Sequence, residues 1–134
     1  MTVAKEMILS RATGVDVDVE ALSRCIDACI SCGQACTGCA DACLGEETVE
    51  HLRRCINLCL NCADICDATG RTMSRMTEFD PAGVKEVVGA CAVVCNLCRD
   101  ECTRHAKMGM KHCAVCAEAC RQCEDACRAL LSVL

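Results

Sequence analysis

Cysteines recur in this chain at steps of three and four residues, and no other feature constrains the fold as strongly. Within each of four blocks the two step lengths alternate without exception. A repeat that averages 3.5 residues places all members of a block on one face of an α-helix. The sequence therefore predicts four helices, each with a stripe of thiols. The blocks are Cys25, Cys29, Cys32, Cys36, Cys39 and Cys43; Cys55, Cys59, Cys62 and Cys66; Cys91, Cys95, Cys98 and Cys102; and Cys113, Cys116, Cys120, Cys123 and Cys127.

Residues that favour helix ends lie between the blocks. Asp16 or Asp18 can cap the first helix, and Gly45 can end it. Thr48 is a candidate cap for the second helix. Asp80 and the following proline are typical of the cap and first residue of the third. The first three blocks therefore each have a predicted helix start.

The connections predict how the helices are arranged. The breaks at Gly45 and at residues 107–109 are short and favour antiparallel neighbours, whereas residues 70–80 leave a longer link. We predict an all-α fold, an antiparallel up-down-up-down four-helix bundle, with a short amphipathic helix over residues 3–12. The expected division is an N-terminal segment, residues 1–16, and a cysteine-lined bundle, residues 17–134.

Aliphatic residues continue the stripes beyond the cysteines and are expected to close the core by ordinary packing. They are Leu22, Leu52, Val84, Val88, Leu130 and Leu134. The second stripe runs on through Thr69 to Met73 and Met76, which we expect to plug one end. After Cys102 the next stripe position is His105, at the opposite end.

Composition limits the functions that the chain can have. The net charge is -5, and the 14 basic residues form no basic run, so neither nucleic acid nor an anionic membrane is expected as a partner. The sequence contains no uninterrupted apolar run of about 18 residues, so no membrane span is expected. Residues 1–14 lack the features of an export signal, so we expect a cytoplasmic protein with free thiols. The cysteine count of 19 is odd, which excludes complete intramolecular pairing and disfavours a disulfide scaffold.

So many core thiols indicate metal binding. A core selected only for packing would use leucine, because each lost methylene costs about 0.8 kcal/mol. Thiolate is a soft ligand that suits Cu(I), zinc or an iron–sulfur cluster. Zinc sites use four converging ligands, but the CxxC and CxxxC spacings here overlap without discrete groups of four. The iron–sulfur motif of ferredoxins, CxxCxxCxxxCP, ends in Cys-Pro, and this sequence contains no Cys-Pro, which disfavours such a cluster.

Charge favours Cu(I) among these metals. One monovalent ion per thiolate keeps the buried interior near neutral, which predicts a capacity of about one Cu(I) per cysteine. Such a density suits storage rather than catalysis. A zinc or cadmium thiolate sink remains an alternative. A thiol redox protein that uses a pair such as Cys113 and Cys116 is weaker, because nothing near such a pair would lower a thiol pKa.

Histidines and methionines gather where the loops at Gly45 and Gly109 meet. His105 lies on the third cysteine stripe, and His112 flanks the fourth. With Met108 and Met110 they are candidate ligands of an entrance for copper, and His51 is expected to cover its rim.

The repeated CxxxCxxC blocks over residues 22–134 resemble the cytosolic branch of the bacterial copper storage proteins. The resemblance implies a four-helix bundle that holds Cu(I) between cysteine pairs, with an entrance at a histidine-bearing end. It also implies a homotetramer, and we expect copper ions to be exchanged with a copper chaperone. Exported relatives carry a twin-arginine signal and use methionines at the entrance. This chain has no such signal and carries both Met and His near one end.

Overall fold

The computed structural model describes residues 1–134 and contains five α-helices and no strand. They are α1 (Val3–Leu9), α2 (Val19–Leu44), α3 (Arg53–Met73), α4 (Pro81–Ala106) and α5 (Lys111–Leu131), and a 3₁₀ turn (Val49–Leu52) precedes α3. Helix α2 packs against α3 and α5, and α4 packs against the same two, so α2 and α4 lie diagonally opposite. The predicted all-α up-down-up-down bundle is confirmed.

The helix ends follow the predicted signals with one exception. Asp18 is the residue that caps α2, accepting a hydrogen bond from the Ala21 N–H at 2.8 Å. Asp80 caps α4 in the same way. The expectation for Thr48 is wrong: its side chain makes no capping hydrogen bond, and a 3₁₀ turn begins after it. A 3₁₀ turn closes its bonds over three residues and can start without that cap.

The two predicted short connections differ in backbone conformation. Gly45 ends α2 with a φ of -87°, which any residue can adopt. Gly109, between α4 and α5, has a φ of +94° in the left-handed region where a side chain would be strained. The predicted break at residues 107–109 therefore depends on Gly109, because its backbone conformation favours glycine.

The N-terminal helix is shorter than expected, ending at Leu9 rather than near residue 12. It packs along α2 with Ile8 buried, and Lys5 pairs with Glu20. Arg11 donates a hydrogen bond to the Ser74 carbonyl in the link between α3 and α4. The division into residues 1–16 and 17–134 stays a prediction.

The core consists of thiols closed by apolar side chains. All the cysteines are buried. Leu22, Leu130, Val88, Met73 and Met76 are buried beyond the stripes at one end, as expected for an aliphatic plug.

One helix, α4, meets the length and hydropathy criteria for a membrane span, although no uninterrupted apolar run was expected. The core helix of a soluble protein meets the same criteria, and the cysteines of α4 are buried in the bundle core together with Val84 and Val88.

Candidate metal centre

The thiols of α2 and α5 face each other in a regular antiparallel register. As residue numbers rise along α2, those of the opposing thiols on α5 fall by equal steps. The Sγ–Sγ distances are 3.8 Å for Cys25–Cys127, 3.7 Å for Cys29–Cys123, 3.7 Å for Cys32–Cys120, 3.6 Å for Cys36–Cys116 and 3.8 Å for Cys39–Cys113.

Helices α3 and α4 carry a second ladder of the same kind. Its Sγ–Sγ distances are 3.9 Å for Cys55–Cys102, 3.7 Å for Cys59–Cys98, 3.8 Å for Cys62–Cys95 and 3.9 Å for Cys66–Cys91. The two ladders together contain every cysteine except Cys43.

Contacts across the diagonals of the bundle join the two ladders. The parallel helices α2 and α4 meet at Cys29–Cys91, with 4.0 Å between the sulfurs, and seven residues later at Cys36–Cys98, at 3.9 Å. Helices α3 and α5 meet in the same way at Cys59–Cys116 and Cys66–Cys123, both at 3.9 Å. All the thiols are free. The interior is therefore a continuous network of unbonded sulfurs along the bundle axis.

Several groups of four sulfurs converge within this network, whereas the overlapping cysteine spacings predicted no discrete groups of four. In each group the ligand atoms lie within 4.8 Å of one another. A metal–thiolate bond is about 2.3 Å long, as in zinc sites, so sulfurs at these distances can share an ion after small movements. The groups also overlap, since Cys32 and Cys62 each belong to two of them. Metal ions that fill the network must therefore share bridging thiolates.

Burial affects the protonation of these thiols. Burial, together with the neighbouring Cys39, raises the pKa of Cys43 to about 11. Burial also raises the pKa of Cys113. Such thiols are neutral near pH 7, because a thiolate is costly in an apolar interior unless a cation compensates its charge. A metal that enters here must replace thiol protons.

No thiol on α5 lies opposite Cys43 in this register. The register of α2 and α5 would place such a thiol at Gly109, in the connection between α4 and α5. Cys43 instead joins Cys39, Cys113 and His112 in one group of potential ligands.

His112 lies at the inner edge of the predicted entrance. Its Nδ1 is 3.5 Å from the sulfurs of both Cys39 and Cys113, and its Nε2 is 3.0 Å from the Glu46 carboxylate. Burial alone would lower the pKa of His112, but the contacts with Cys39 and Glu46 raise it. The imidazole therefore connects the thiol network to a surface carboxylate.

The other predicted entrance ligands lie together in a separate cavity of about 530 Å³. Its lining includes Thr48, His51, Leu52, Arg104, His105, Met108 and Met110. Met108 is exposed and Met110 is half-buried, whereas His105 is only 5% exposed. His51 is exposed at the edge, as expected for a residue on the rim. The structure thus groups His105, Met108 and Met110 but places His112 against the thiols instead.

Two carboxylates beside these histidines were not predicted. Glu101 lies 3.0 Å from Nε2 of His105, and Glu46 contacts Nε2 of His112. The position of Glu101, four residues before His105 on the same helix face, was a usable signal. Glu46 lies 66 residues from its histidine, so only the tertiary structure shows that contact.

Comparisons with known proteins agree with this geometry. A model described as Csp, copper storage protein, matches residues 18–132. The structure is similar to that of the copper storage protein Ccsp from Streptomyces lividans loaded with 10 copper equivalents. The two chains are 49% identical with a TM-score of 0.95, and the match covers 98% of this chain and 99% of that one. No curated protein sequence matches this chain.

Two further structures are similar. A cytosolic copper storage protein from Streptomyces lividans with five coppers is 55% identical, with a TM-score of 0.84 and coverage of 86% of this chain and 95% of that one. The Cu(I)-bound copper storage protein BsCsp3 is 40% identical, with a TM-score of 0.70 and coverage of 79% and 93%. The predicted family is confirmed, and this chain belongs to the copper storage protein family.

Proposed function

We propose that this protein stores many Cu(I) ions inside its bundle, with the thiolates of all 19 cysteines as ligands. The observation that carries the proposal is the continuous network of buried sulfurs, in which facing thiols are 3.6 to 3.9 Å apart. Two or three thiols suffice for Cu(I), and neighbouring ions can share them. We expect a capacity on the order of one Cu(I) per cysteine.

Zinc or cadmium storage is the second candidate, because groups of four sulfurs do converge. The overlap between these groups favours Cu(I). A divalent ion with four thiolates carries two excess negative charges, whereas one Cu(I) per thiolate leaves the buried network neutral. The relatives with bound metal hold copper.

The burial of the thiols supports storage rather than catalysis. A redox dithiol must present at least one thiolate to its substrate, and those of catalytic CxxC motifs are partly exposed. Cys113 and Cys116, the pair that would serve a redox protein, are 0% exposed. A small ion can reach these buried thiols, but a disulfide of a protein substrate cannot.

A titration of the reduced protein with Cu(I) against a strong chelating competitor tests the storage function. We expect many equivalents, approaching the number of cysteines, to be withdrawn from the competitor. The same titration with Zn(II) is the control. Saturation after one or two Cu(I), or equally tight saturation by Zn(II), would contradict the proposal.

We further propose that copper enters at the end that holds Gly45 and Gly109. The cavity lined by His105, Met108 and Met110 supports this, since it combines soft and intermediate ligands outside the thiol network. His112 would receive the ion next, because its Nδ1 already lies against Cys39. Replacement of His105 and His112 by alanine should slow loading much more than it lowers the final capacity. An unchanged loading rate would contradict this entrance.

We propose that the protein is cytoplasmic and receives copper from a copper chaperone. The location is supported by the similar protein described as cytosolic and by the free thiols. Mixing the reduced protein with a Cu(I)-loaded chaperone domain should move copper to the bundle, measured after the two are separated by size. Copper that stays on the chaperone would contradict the partnership.

The predicted homotetramer is also part of this proposal. Exposed aliphatic side chains on α3 and α4, among them Leu60, Val93 and Leu97, supply apolar surface for subunit contacts. Analytical ultracentrifugation should give four times the chain mass, and a stable monomer would contradict this assembly.

A further inference from the structure

We propose that Glu101 and Glu46 are positioning residues for the uptake of copper. Each carboxylate holds Nε2 of one histidine, so that Nδ1 of that ring is available as a metal ligand. The inference rests on the proposed storage function and adds two acidic residues to the entrance.

The contact between Glu101 and His105 is the stronger of the two. Both residues are 5% exposed, and 3.0 Å separates the Glu101 carboxylate from Nε2 of His105. An ionised carboxylate only accepts hydrogen bonds, so Nε2 must carry the proton, and Nδ1 of the neutral ring is then a lone-pair donor. This Nδ1 is buried without any hydrogen-bond partner. Buried polar atoms nearly always have partners, and a metal ion would supply the one missing here.

Two arginines fix the Glu101 carboxylate itself. Arg104 donates a hydrogen bond to Oε1 at 2.9 Å, and Arg54 of α3 lies 3.5 Å from the same oxygen. Oε2 is thereby left for His105. The carboxylate is held from both α3 and α4, so the imidazole that it contacts is fixed as well.

Glu46 and His112 repeat this arrangement on the other side of the entrance. Nε2 of His112 is 3.0 Å from Glu46, and Nδ1 points to the sulfurs of Cys39 and Cys113 at 3.5 Å. In both pairs the carboxylate contacts Nε2, and Nδ1 is the nitrogen that it leaves available. In metal sites such a carboxylate fixes the ring orientation and raises the basicity of the ligating nitrogen.

A double-mutant cycle tests whether Glu101 acts through His105. Loading of the full-length reduced protein is followed after mixing with a Cu(I)–chelator complex. We expect Glu101→Leu to slow initial loading by about 10-fold or more, the usual effect of removing a ligand's carboxylate partner. Glu101→Gln, which keeps an acceptor oxygen, should recover part of the rate. The double variant Glu101→Leu/His105→Ala should be no slower than His105→Ala alone.

Glu118→Leu is the matched control, because Glu118 is an exposed carboxylate on α5 that pairs with Arg121 away from the entrance. It should load at the wild-type rate. The corresponding cycle of Glu46→Leu and His112→Ala tests the second pair. A double variant that is slower than its histidine variant would overturn the inference for that pair, because the glutamate would then act by another route.

The histidine tautomers provide a readout that needs no variant. In the reduced, metal-free wild type at pH 8, ¹⁵N-edited NMR should show the proton on Nε2 of both His105 and His112. After the first equivalents of Cu(I), the Nδ1 resonances should shift. A proton on Nδ1 of either ring would overturn the inference for that ring.

The two levels of the proposal can fail separately. A wild type that takes up no Cu(I) would remove the storage function, whatever the tautomers are. A wild type that loads fully, with Glu101→Leu loading equally fast, would leave storage intact and overturn the role of Glu101.

Discussion

Single cysteines in this bundle differ in how many neighbouring sulfurs they have. The Cys36 sulfur lies 3.6 to 3.9 Å from four others, those of Cys32, Cys98, Cys116 and Cys120. Cys43 has no opposing thiol on α5, because the register places Gly109 where that partner would be, and its group of potential ligands includes an imidazole in place of one thiol. The loss of one thiol should therefore have unequal consequences along the network.

Substitution of these two cysteines by serine measures that difference. We expect Cys43→Ser to lower the Cu(I) capacity by about one ion, and Cys36→Ser by more than one, since a bridging thiolate serves several ions. Capacity is measured as copper per chain after chelator-accessible copper is removed. Equal losses in the two variants would contradict a bridged network.

Proton release should accompany the uptake of copper. Because burial raises the pKa of Cys43 to about 11, the thiol keeps its proton at pH 7, and Cu(I) must displace it. Copper affinity should therefore rise with pH, by about tenfold per pH unit for each proton displaced. A weakly buffered titration with a pH indicator measures the release. Copper binding at constant pH without released protons would show that the thiols are already ionised.

At the scale of the helices, one register explains both the ladders and the diagonal contacts. The thiols of α2 and α5, and those of α3 and α4, face each other in pairs, with the exception of Cys43, and the parallel diagonals meet again after seven residues. Seven residues correspond to two helical turns at 3.5 residues per turn, the period of the cysteine stripes. The sulfurs stay in register only if no helix shifts along its axis relative to its neighbours. The residues that fix where each helix begins and ends therefore matter for the pairing.

The start of α2 provides a test at this scale. The Asp18 carboxylate accepts a hydrogen bond from the Ala21 N–H, whereas Asp16 precedes the cap. We expect Asp18→Ala to lower the free energy of unfolding by about 1 kcal/mol. Asp16→Ala is the matched control and should change it little. Urea unfolding of the metal-free protein measures both, and a larger loss for Asp16→Ala would contradict this cap.

At the scale of the whole molecule, aliphatic side chains close the core of thiols at its ends. Leu22, Val88 and Leu130 seal one end, and Leu52 is buried near the other. We expect the reduced, metal-free protein to be folded, and copper to stabilise it further, because bound ions favour the native state.

Thermal unfolding measures that stabilisation. The Tm should rise with each increment of Cu(I) and should return to the metal-free value when a chelator removes the copper. Ligand at about 100 times its Kd adds about 2.7 kcal/mol per site, so many sites should raise the Tm by a large amount. A Tm that does not depend on copper would indicate binding outside the folded core.

The helices, the buried face of each helix and most of the helix ends could be predicted from the amino-acid sequence alone. These follow from local physics, since the steps of three and four residues have one geometric solution, and Asp18 and Asp80 satisfy backbone N–H groups next to them. Family membership also followed from this pattern. Thr48 shows the limit of such local signals, because a suitable cap residue formed no cap.

The packing of the helices determines which atoms meet. It sets the partner of each sulfur, leaves Cys43 without an opposing thiol on α5, and separates His112 from the cavity that holds His105. It also joins Glu46 to a histidine 66 residues away. The spacing of residues determines which face of a single helix carries the thiols, but the register between helices depends on the packing of all four. The ligand geometry is therefore a property of the packed bundle, not of any one stripe.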